Sequence, residues 1–397
     1  EDAHSKLHLK VHYEESLGGE LAVLCKFRSL RTLSFWFSGF ADIQVPIGLF
    51  QTVKRLRMLD LGYSSIDALP DSVGCLKHLR YLDLRGTKIT CLPDSLCTLY
   101  KLQTLKLQGC DQLQGFPDGM SNLISLHYLE ATQELVSSIA KLGKLTQLQS
   151  LEAFSVSEEN GNRIGELKSM NGLRGKLCIR NLQRVATREE AVEAALKDKR
   201  YLKTLEMEWA GDRDVNQIDS DLEKSIIDGL QPPPQLKELI VKSYAGTKLP
   251  SWMNSSSISS LELIRVERCT SLNQLPTSLV SLVLREVRLS TLPDILCHLP
   301  LQQLMVCQSP ELSELPSLPT TLKELVIECV GLKSLPEFNQ DHGLSDATSR
   351  RCDEDEGSDS RKPLLSILKI HSCPHLTTLD KGLLQCCLRH LQVLSIK

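Results

Sequence analysis

The 397-residue sequence has no long apolar run, no large excess of one charge and few aromatic residues. No stretch approaches the ~18 consecutive apolar residues of a membrane-spanning helix, so no such helix is expected. The formal net charge of -3 gives no basic field that would favour nucleic acid. Aromatic residues make up 5% of the chain, so leucine must supply most of its apolar surface.

Two further absences concern the first residues and the nucleotide motifs. The opening stretch EDAHSKLHLKVHYEES has neither an initiator Met nor the apolar segment of a secretion signal, which indicates a piece of a longer protein. The sequence contains no GxxxxGKS or GxxxxGKT, the loop that cradles nucleotide phosphates. We therefore expect no ATP or ADP site and no cofactor in this chain.

The 14 cysteines do not form the terminal pairs that cap secreted repeat arrays. Cys110, Cys269 and Cys373 each fall three residues after the last apolar position of a repeated leucine string. That placement predicts small core residues with weak thiol donors. Unpaired thiols in turn indicate a reducing, intracellular compartment.

The repeated string is LxxLxL. LRMLDLGYSSIDALP at 56–70 returns as LRYLDLRGTKITCLP at 79–93, a spacing of 23 residues. Further copies, some with Ile, Val or Met at the later positions, start at Leu30, Leu102, Leu126, Leu148, Leu202, Leu236, Leu261, Leu279, Leu301, Leu322, Leu365 and Leu391. A period of about 20 to 29 residues with this pattern is the leucine-rich repeat signature.

Alternation along each string predicts which side chains are buried. Leu82 and Leu84 point to one face, whereas Tyr81, Asp83 and Arg85 point to the other. A single repeat cannot bury its leucines, but stacked repeats share one core and one parallel sheet. The predicted fold is therefore an α/β leucine-rich repeat solenoid, a horseshoe with a concave parallel β-sheet and an irregular or helical convex side. Residues 1–397 are expected to form a single domain of about 15 repeats.

Two segments depart from the repeat rhythm. Within 155–235, EEAVEAALKDKRYL and DSDLEKSIIDGLQPPP have helical patterns, which predicts longer irregular repeats with helices on the convex side. Residues 339–363, NQDHGLSDATSRRCDEDEGSDSRKP, are polar and charged with almost no large apolar residue. They are expected to form a disordered acidic insertion loop, because they cannot offset the entropy lost on ordering.

Three stretches resemble the leucine-rich repeat region of a plant coiled-coil nucleotide-binding immune receptor (CC-NLR). These are LRYLDLRGTKITCLPDSLCTLYKLQTLKLQGCDQL, LRGKLCIRNLQRV from Leu173, and LKELIVKSYAGTKLPSWM from Leu236 to Met253. The resemblance implies a receptor in the cytoplasm, with the nucleus as a second location that it allows. Its leucine-rich repeats would recognise a pathogen- or pest-derived effector, or a guarded host protein, and restrain an upstream nucleotide-binding domain. That domain, rather than this chain, would hold ADP or ATP.

Outward strand positions are the candidate partner-binding residues, because the concave face of a solenoid is its usual binding surface. They are Trp36, Tyr81, Asp83, Arg85, Lys106, Tyr128, Glu130, Phe154, Glu206, Glu208, Lys242, Arg265, Glu267, Arg285, Met305, Lys369 and His371. Exposed aromatics such as Trp36, Tyr81 and Tyr128 have the character of interface anchors. As a hypothesis, early repeats would contact the nucleotide-binding domain and later repeats would meet the ligand. Charge reversal at Asp83 and Arg85 should then activate the receptor without ligand.

Other chemistry is not favoured by the sequence. No local Cys/His signature of a nucleophile is present, so no enzyme activity is expected. His371, Cys373 and His375 do not match zinc spacing, and the first two should face opposite sides of a strand. Neither a metal site nor nucleic-acid binding is expected, since exposed strand positions carry both signs.

Two other protein classes also carry leucine-rich repeats. The main alternative is the substrate-recognition repeats of an F-box ubiquitin ligase, and a surface-receptor ectodomain is a further one. An F-box protein should have more regular repeats without YAGTKLPSWM. A plant ectodomain should have GxIP turns, whereas this chain has LP turns.

Overall fold

A computed structural model describes residues 8–13, 20–37, 45, 48–213, 218–246, 248, 250–254, 258, 260–270, 275–335, 364–376 and 390–397. The predicted loop at 339–363 lies outside these residues. The chain divides into two compact units. Unit 1 comprises Glu1–Val185 and Val192–Leu202, and unit 2 comprises Ala186–Ala191 and Lys203–Lys397.

Unit 1 is built on short parallel strands. They are β1 (His8–Tyr13), β2 (Thr32–Phe37), β3 (Met58–Asp60), β4 (Tyr81–Asp83), β5 (Thr104–Lys106), β6 (Tyr128–Glu130), β7 (Ala153–Ser155) and β8 (Arg174–Arg180). β1 to β6 form one sheet in chain order, and β7 pairs in parallel with β8. Leu59, Leu82, Leu105 and Leu129 stand directly opposite one another in register and are all buried. This leucine ladder is the core that the repeat predicts.

Unit 2 repeats the same design over most of its length. Its strands are β9 (Tyr201–Glu208, in unit 2 from Lys203), β10 (Glu238–Lys242), β11 (Leu263–Glu267), β12 (Ser281–Arg285), β13 (Gln303–Ser309), β14 (Glu324–Val330), β15 (Ile367–His371) and β16 (Val393–Ile396). Neighbouring strands pair in parallel from β9 to β16. The buried ladder runs through Leu205, Leu239, Ile264, Leu282, Leu304, Leu325 and Leu368.

Left-handed residues near the strand ends turn the chain back into the core. In unit 2 they are Ser243, Arg268, Glu286, Gln308, Cys329 and Ser372, with φ between 52° and 56°. The residue that follows most of them is buried, as Cys269 and Val287 are. In unit 1, Gly86 and Gly109 adopt this conformation, which glycine tolerates without a steric penalty. A Cβ on Gly86 would lie 2.7 Å from Cδ1 of Tyr63.

The buried cysteines occupy the positions that the repeat predicts. Cys110 Sγ donates to the carbonyl oxygen of Leu84 at 3.0 Å, and Cys269 Sγ donates to that of Glu267 at 3.3 Å. Both side chains are buried, whereas Cys373 is half-buried. Burial raises the pKa of Cys269 to about 12, so its thiol stays protonated at neutral pH.

Short 3-10 helices recur along the chain, and some of them directly follow an LP turn. The 3-10 helices span Glu20–Lys26, Asp71–Cys75, Asp94–Thr98, Asp118–Asn122, Leu142–Lys144, Ile164–Ser169, Leu182–Arg184, Leu196–Asp198, Ser251–Asn254 and Asp294–His298. Pro70 and Pro93 are extended N-caps whose carbonyl oxygens accept hydrogen bonds from Val73 N (2.9 Å) and Leu96 N (3.0 Å). Proline has no N–H, but at the N-cap position only its carbonyl oxygen takes part in the first hydrogen bond of the helix, so the missing N–H costs nothing there.

The α-helices are α1 (Leu49–Thr52), α2 (Gln133–Ser137), α3 (Arg188–Glu193) and α4 (Ser220–Gly229). α3 and α4 lie in the two helix-patterned stretches of 155–235. Asp219 caps α4 by accepting from the amides of Asp221 (3.1 Å) and Leu222 (2.9 Å). Within the described residues, no helix is long and apolar enough to cross a membrane.

Lys199 is a fully buried lysine in unit 1. Its Nζ donates to the carbonyl oxygen of Leu167 at 2.5 Å and to Asn171 Oδ1 at 3.0 Å. It thereby adds a hydrogen bond at the end of the 3-10 helix Ile164–Ser169, where the Leu167 carbonyl also accepts from Met170 N at 3.0 Å. Burial lowers the pKa of Lys199 to about 8.

Candidate interaction surfaces on the sheets

The outward side of β3 to β6, here called the unit 1 face, is organised around one buried carboxylate. Asp83 is 0% exposed, although the alternation of its strand predicts an exposed position. Its Oδ2 accepts from Arg85 Nη2 at 2.7 Å and from Tyr81 OH at 3.0 Å, and its Oδ1 accepts from Arg85 Nε at 2.9 Å. The expectation of exposure was wrong because these two side chains fold over the carboxylate.

Within this cluster, the cost of burying the Asp83 carboxylate is offset by hydrogen bonds from its neighbours. Burial by itself would raise the pKa of Asp83, but the hydrogen bonds from Arg85 and Tyr81 outweigh it and hold this pKa below its usual value. The pKa of Tyr81 is raised above its usual range, first by burial and then by its hydrogen bond to Asp83. Arg85 also stacks over the Tyr63 ring, with 5.8 Å from Cζ to the ring centroid.

Other charges on the unit 1 face are paired as well. Lys106 Nζ lies 3.1 Å from Glu130 Oε1 and 6.0 Å from the centroid of the Tyr81 ring. Tyr128 is 44% exposed, and its hydroxyl donates to Gln149 Oε1 at 2.9 Å. The described unit 1 face therefore satisfies most of its own polar groups, and Tyr128 is a partly exposed aromatic ring on its strands.

Trp36 and Phe154 are the two remaining candidate binding residues of unit 1. Trp36 lies in β2, but its side chain is outside the described residues. Phe154 was predicted to point outward and is instead fully buried. The reason is a register shift of three residues: Phe154 pairs with the buried Ile179, so the string that forms this strand starts at Leu151 rather than Leu148.

The unit 2 face, formed by outward residues of β9 to β15, begins with a lysine shared by two acids. Lys242 Nζ lies 2.8 Å from Glu206 Oε1 and 3.5 Å from Glu267 Oε2. Burial opposes the charged form of Lys242, but the hydrogen bond to Glu206 and the negative charges of the surrounding glutamates together outweigh it and raise the lysine pKa. Glu206 is 4% exposed, so its predicted exposure was wrong, whereas the neighbouring Glu208 is half-buried.

The arginines of the unit 2 face are less completely satisfied. Arg265 Nη2 is 3.9 Å from Glu238 Oε1, and the buried Arg265 Nε has no hydrogen-bond partner among the described residues. Arg285 is exposed, and its Nε donates to Gln308 Oε1 at 2.9 Å. The Arg265 side chain is 40% exposed and its one ion pair is long, so a carboxylate from a partner would gain a charge-assisted hydrogen bond at the exposed part of the guanidinium.

One line of side chains crosses the unit 2 face, and we call it the middle row. Strand register places its members directly opposite one another. The middle row consists of Ile240, Arg265, Val283, Met305, Val326 and Lys369. Val283 and Met305 are half-buried, and Val326 is 9% exposed. Three apolar side chains on neighbouring strands thus lie between a guanidinium and an ammonium.

Sequence analysis identified Met305, Arg265 and Lys369 but missed Val283 and Val326. The signal was present, because each valine stands between two core positions of its string, as Met305 does. Beyond the middle row, His371 is half-buried and its Nε2 lies 2.8 Å from Ser395 Oγ.

A cleft of about 400 Å³ lies near the carboxyl ends of the unit 2 strands. Arg213, Arg268 and Glu286 are among its lining residues. Arg268 Nε donates to Glu286 Oε2 at 2.7 Å, while Arg213 pairs with the buried Glu223 of α4 and donates to the Ser243 carbonyl at 2.7 Å. Arg213 and Arg268 are thus already paired and contribute little uncompensated charge to the cleft.

Comparisons with known proteins agree with this architecture. The profile of the family described as R13L1/DRL21 LRRs matches residues 164–292, and the Leucine rich repeat profile matches residues 28–89 and 54–113. A leucine-rich repeat protein of Leptospira interrogans superposes with a TM-score of 0.52 at 18% identity, covering 81% of this chain and 84% of that one. At that identity the likeness establishes the fold alone.

Two curated relatives are plant proteins. Putative disease resistance protein RGA4 of Solanum bulbocastanum is 39% identical over 246 residues, which is 62% of this chain and 24% of that protein. Putative disease resistance RPP13-like protein 1 of Arabidopsis thaliana is 34% identical over 128 residues, covering 31% of this chain and 12% of that protein. The chain thus spans about a quarter or less of the length of these relatives. With the leucine ladders and strand order above, these matches identify the chain as a leucine-rich repeat domain, and they support its assignment to the plant nucleotide-binding leucine-rich repeat (NLR) disease resistance proteins.

Proposed function

We propose that this chain recognises a protein ligand on behalf of an intracellular plant immune receptor, and that the ligand binds the unit 2 face. The ligand would be a pathogen- or pest-derived effector or a guarded host protein. The observation that carries this proposal is the middle row, in which Val283, Met305 and Val326 lie in register on three neighbouring strands. Val283 and Met305 are partly exposed, and partly exposed apolar side chains near cations with long or absent ion pairs are favourable contacts for a partner.

The contrast with the unit 1 face supports the choice of unit 2. Asp83, Arg85 and Tyr81 already satisfy one another, so a partner would have to break a buried network to use them. On the unit 2 face, Arg265 Nε is unpaired among the described residues, and Met305 is accessible without breaking a polar contact.

A restraining role and a cytoplasmic location are parts of the same proposal. In this scheme the chain also contacts an upstream nucleotide-binding domain, which holds ADP or ATP, and the chain itself performs no catalysis. The family assignment supports this scheme, and neither of the two named curated relatives is an F-box protein. The ubiquitin-ligase alternative therefore has no observation in its favour.

The test uses the full-length receptor, expressed in leaves together with a library of secreted pathogen and pest effectors. Cell death that depends on the receptor identifies a recognised effector. Met305→Asp should then abolish recognition, since it places an unpaired carboxylate in the apolar centre of the middle row. The matched control is Ile295→Asp, a change at an exposed apolar residue of the 3-10 helix Asp294–His298.

Protein levels are measured by immunoblot for every variant. Loss of recognition in Met305→Asp, at normal abundance and with Ile295→Asp still active, supports the proposal. If Met305→Asp recognises every effector as the wild type does, the unit 2 face is not the binding surface.

A further inference from the structure

The middle row carries information about the shape and charge of its occupant, beyond the fact of binding. We propose that the unit 2 face takes an amphipathic α-helix of the partner, with an apolar stripe at its centre and an acidic residue at each end of the stripe. This inference rests on the proposed function, because it names the partner chemistry of the same surface.

The first step is the charge pattern along the middle row. Arg265 precedes the apolar residues on one side, and Lys369 follows them on the other. The Arg265 side chain is 40% exposed and its Nη2 lies 3.9 Å from Glu238 Oε1, and Lys369 makes no ion pair among the described residues. A partner segment that carried acids at both ends would satisfy both cations while its centre covered the apolar residues.

The second step is the spacing. Neighbouring strands lie about 4.8 Å apart, so Val283, Met305 and Val326 recur at that interval and Arg265 and Lys369 lie roughly 19 Å apart. Along one face of an α-helix, side chains recur every three or four residues, or about 5 Å. An extended segment presents a side chain to one face only about every 6.7 Å. The helix therefore matches the row, and the strand does not.

The third step concerns the two borders of the row. Glu324 and Glu328 lie beside Val326 on β14, and Gln303 donates to Glu324 Oε2 at 2.8 Å. These acids disfavour further acids on the part of the helix that flanks Val326 and favour polar or basic residues there, whereas Arg285, exposed beside Val283 on β12, favours a polar or acidic residue at its own position. The partner helix is thus acidic at the two ends of its apolar stripe and neutral or basic where it flanks Val326.

The experiment measures binding of fluorescein-labelled helical peptides to the full chain by anisotropy. The probe has about 15 residues, with leucines at its centre and a glutamate at each end of one stripe spaced by three and four residues. One control peptide has lysine in place of the two glutamates, and another has serine in place of the leucines. The wild-type chain should bind the acid-ended peptide about tenfold more tightly than either control.

Variants of the chain assign the binding to the middle row. Arg265→Glu and Lys369→Glu should each weaken binding of the acid-ended peptide and strengthen binding of the lysine-ended peptide. Their matched controls are Arg288→Glu and Lys333→Glu, which make the same charge change at exposed residues outside the row. The controls should leave the preference unchanged.

Each outcome decides the matter. Preference for acid ends that reverses in the Arg265 and Lys369 variants supports the proposal. Equal binding of both peptide types, equal effects of row variants and controls, or absence of binding overturns it. If the peptides fail but Met305→Asp still abolishes effector recognition, the binding surface stands and only the helix chemistry is wrong. If both fail, the surface itself is wrong.

Discussion

Removing the carboxylate of Asp83 tests whether the unit 1 face is a structural network. In Asp83→Ala, Arg85 loses its side-chain hydrogen bonds and Tyr81 loses its acceptor. Breaking a fully buried ion pair costs about 3–5 kcal/mol. Because the Arg85 side chain is 32% exposed, water can resolvate part of its charge, and we expect about 2–4 kcal/mol.

The measurement is urea unfolding of the chain followed by circular dichroism, together with hydrogen–deuterium exchange of the β4 and β5 amides. Exchange is included because repeat arrays can open locally before they unfold globally. A double-mutant cycle with Arg85→Ala isolates the pair and should give a coupling energy of about 1.5–3 kcal/mol. The matched control is Glu130→Ala, which breaks the partly exposed pair with Lys106 and should cost at most about 1 kcal/mol.

The pH dependence gives a second readout. Since the pKa of Asp83 is lower in the folded chain than its usual value, its contribution is present above about pH 4 and is lost as the pH falls further. The stability gap between wild type and Asp83→Asn should therefore shrink below about pH 4. If Asp83→Ala costs no more than Glu130→Ala, or the gap does not change with pH, the network does not stabilise the fold.

This result also bears on receptor activation. Charge reversal at Asp83 was expected to release a restraining contact, but it would place a cation beside Arg85 in a buried position. Loss of folded unit 1 is the expected consequence, so activation assays at this residue require a measurement of protein abundance.

Three other changes test separate features. The pKa of Lys199 is about 8 in the folded chain, so between about pH 8 and pH 10 the unfolded chain binds more protons than the folded one. The free energy of unfolding of the wild type should therefore rise over that pH range, and Lys199→Met should remove this rise. Chemical unfolding at several pH values measures it. Glu223→Gln should cost about 3 kcal/mol by leaving Arg213 without its buried partner, and unchanged exchange of the α4 amides would contradict this. Cys329→Gly should stabilise by about 0.5 kcal/mol, because Cys329 has a φ of 54°, whereas Glu328→Gly in the same strand should destabilise in the same thermal unfolding assay.

The sequence by itself determined the repeat, the leucine ladder and the role of the buried cysteines. A string whose alternate residues are apolar has one stable solution, in which those residues share a core with the neighbouring strings. Leu59, Leu82 and Leu105 are accordingly in register, and Cys110 donates to a backbone carbonyl from its predicted position. The outward positions Arg265, Arg285 and Met305 also followed from alternation alone.

The tertiary structure decided what happens on the outward face. Alternation gives the side of the sheet but not the neighbour, and the neighbour comes from a repeat about 20 residues or more away. Lys242 therefore covers Glu206 from the next strand. Arg85 is a local exception, since it closes over Asp83 two residues earlier in the chain. A slip of three residues buried Phe154, since Leu148 and Leu151 offer two starts for the same string. The middle row, too, exists only through the register that aligns Val283, Met305 and Val326, because no local pattern fixes which residues of separate repeats stand side by side.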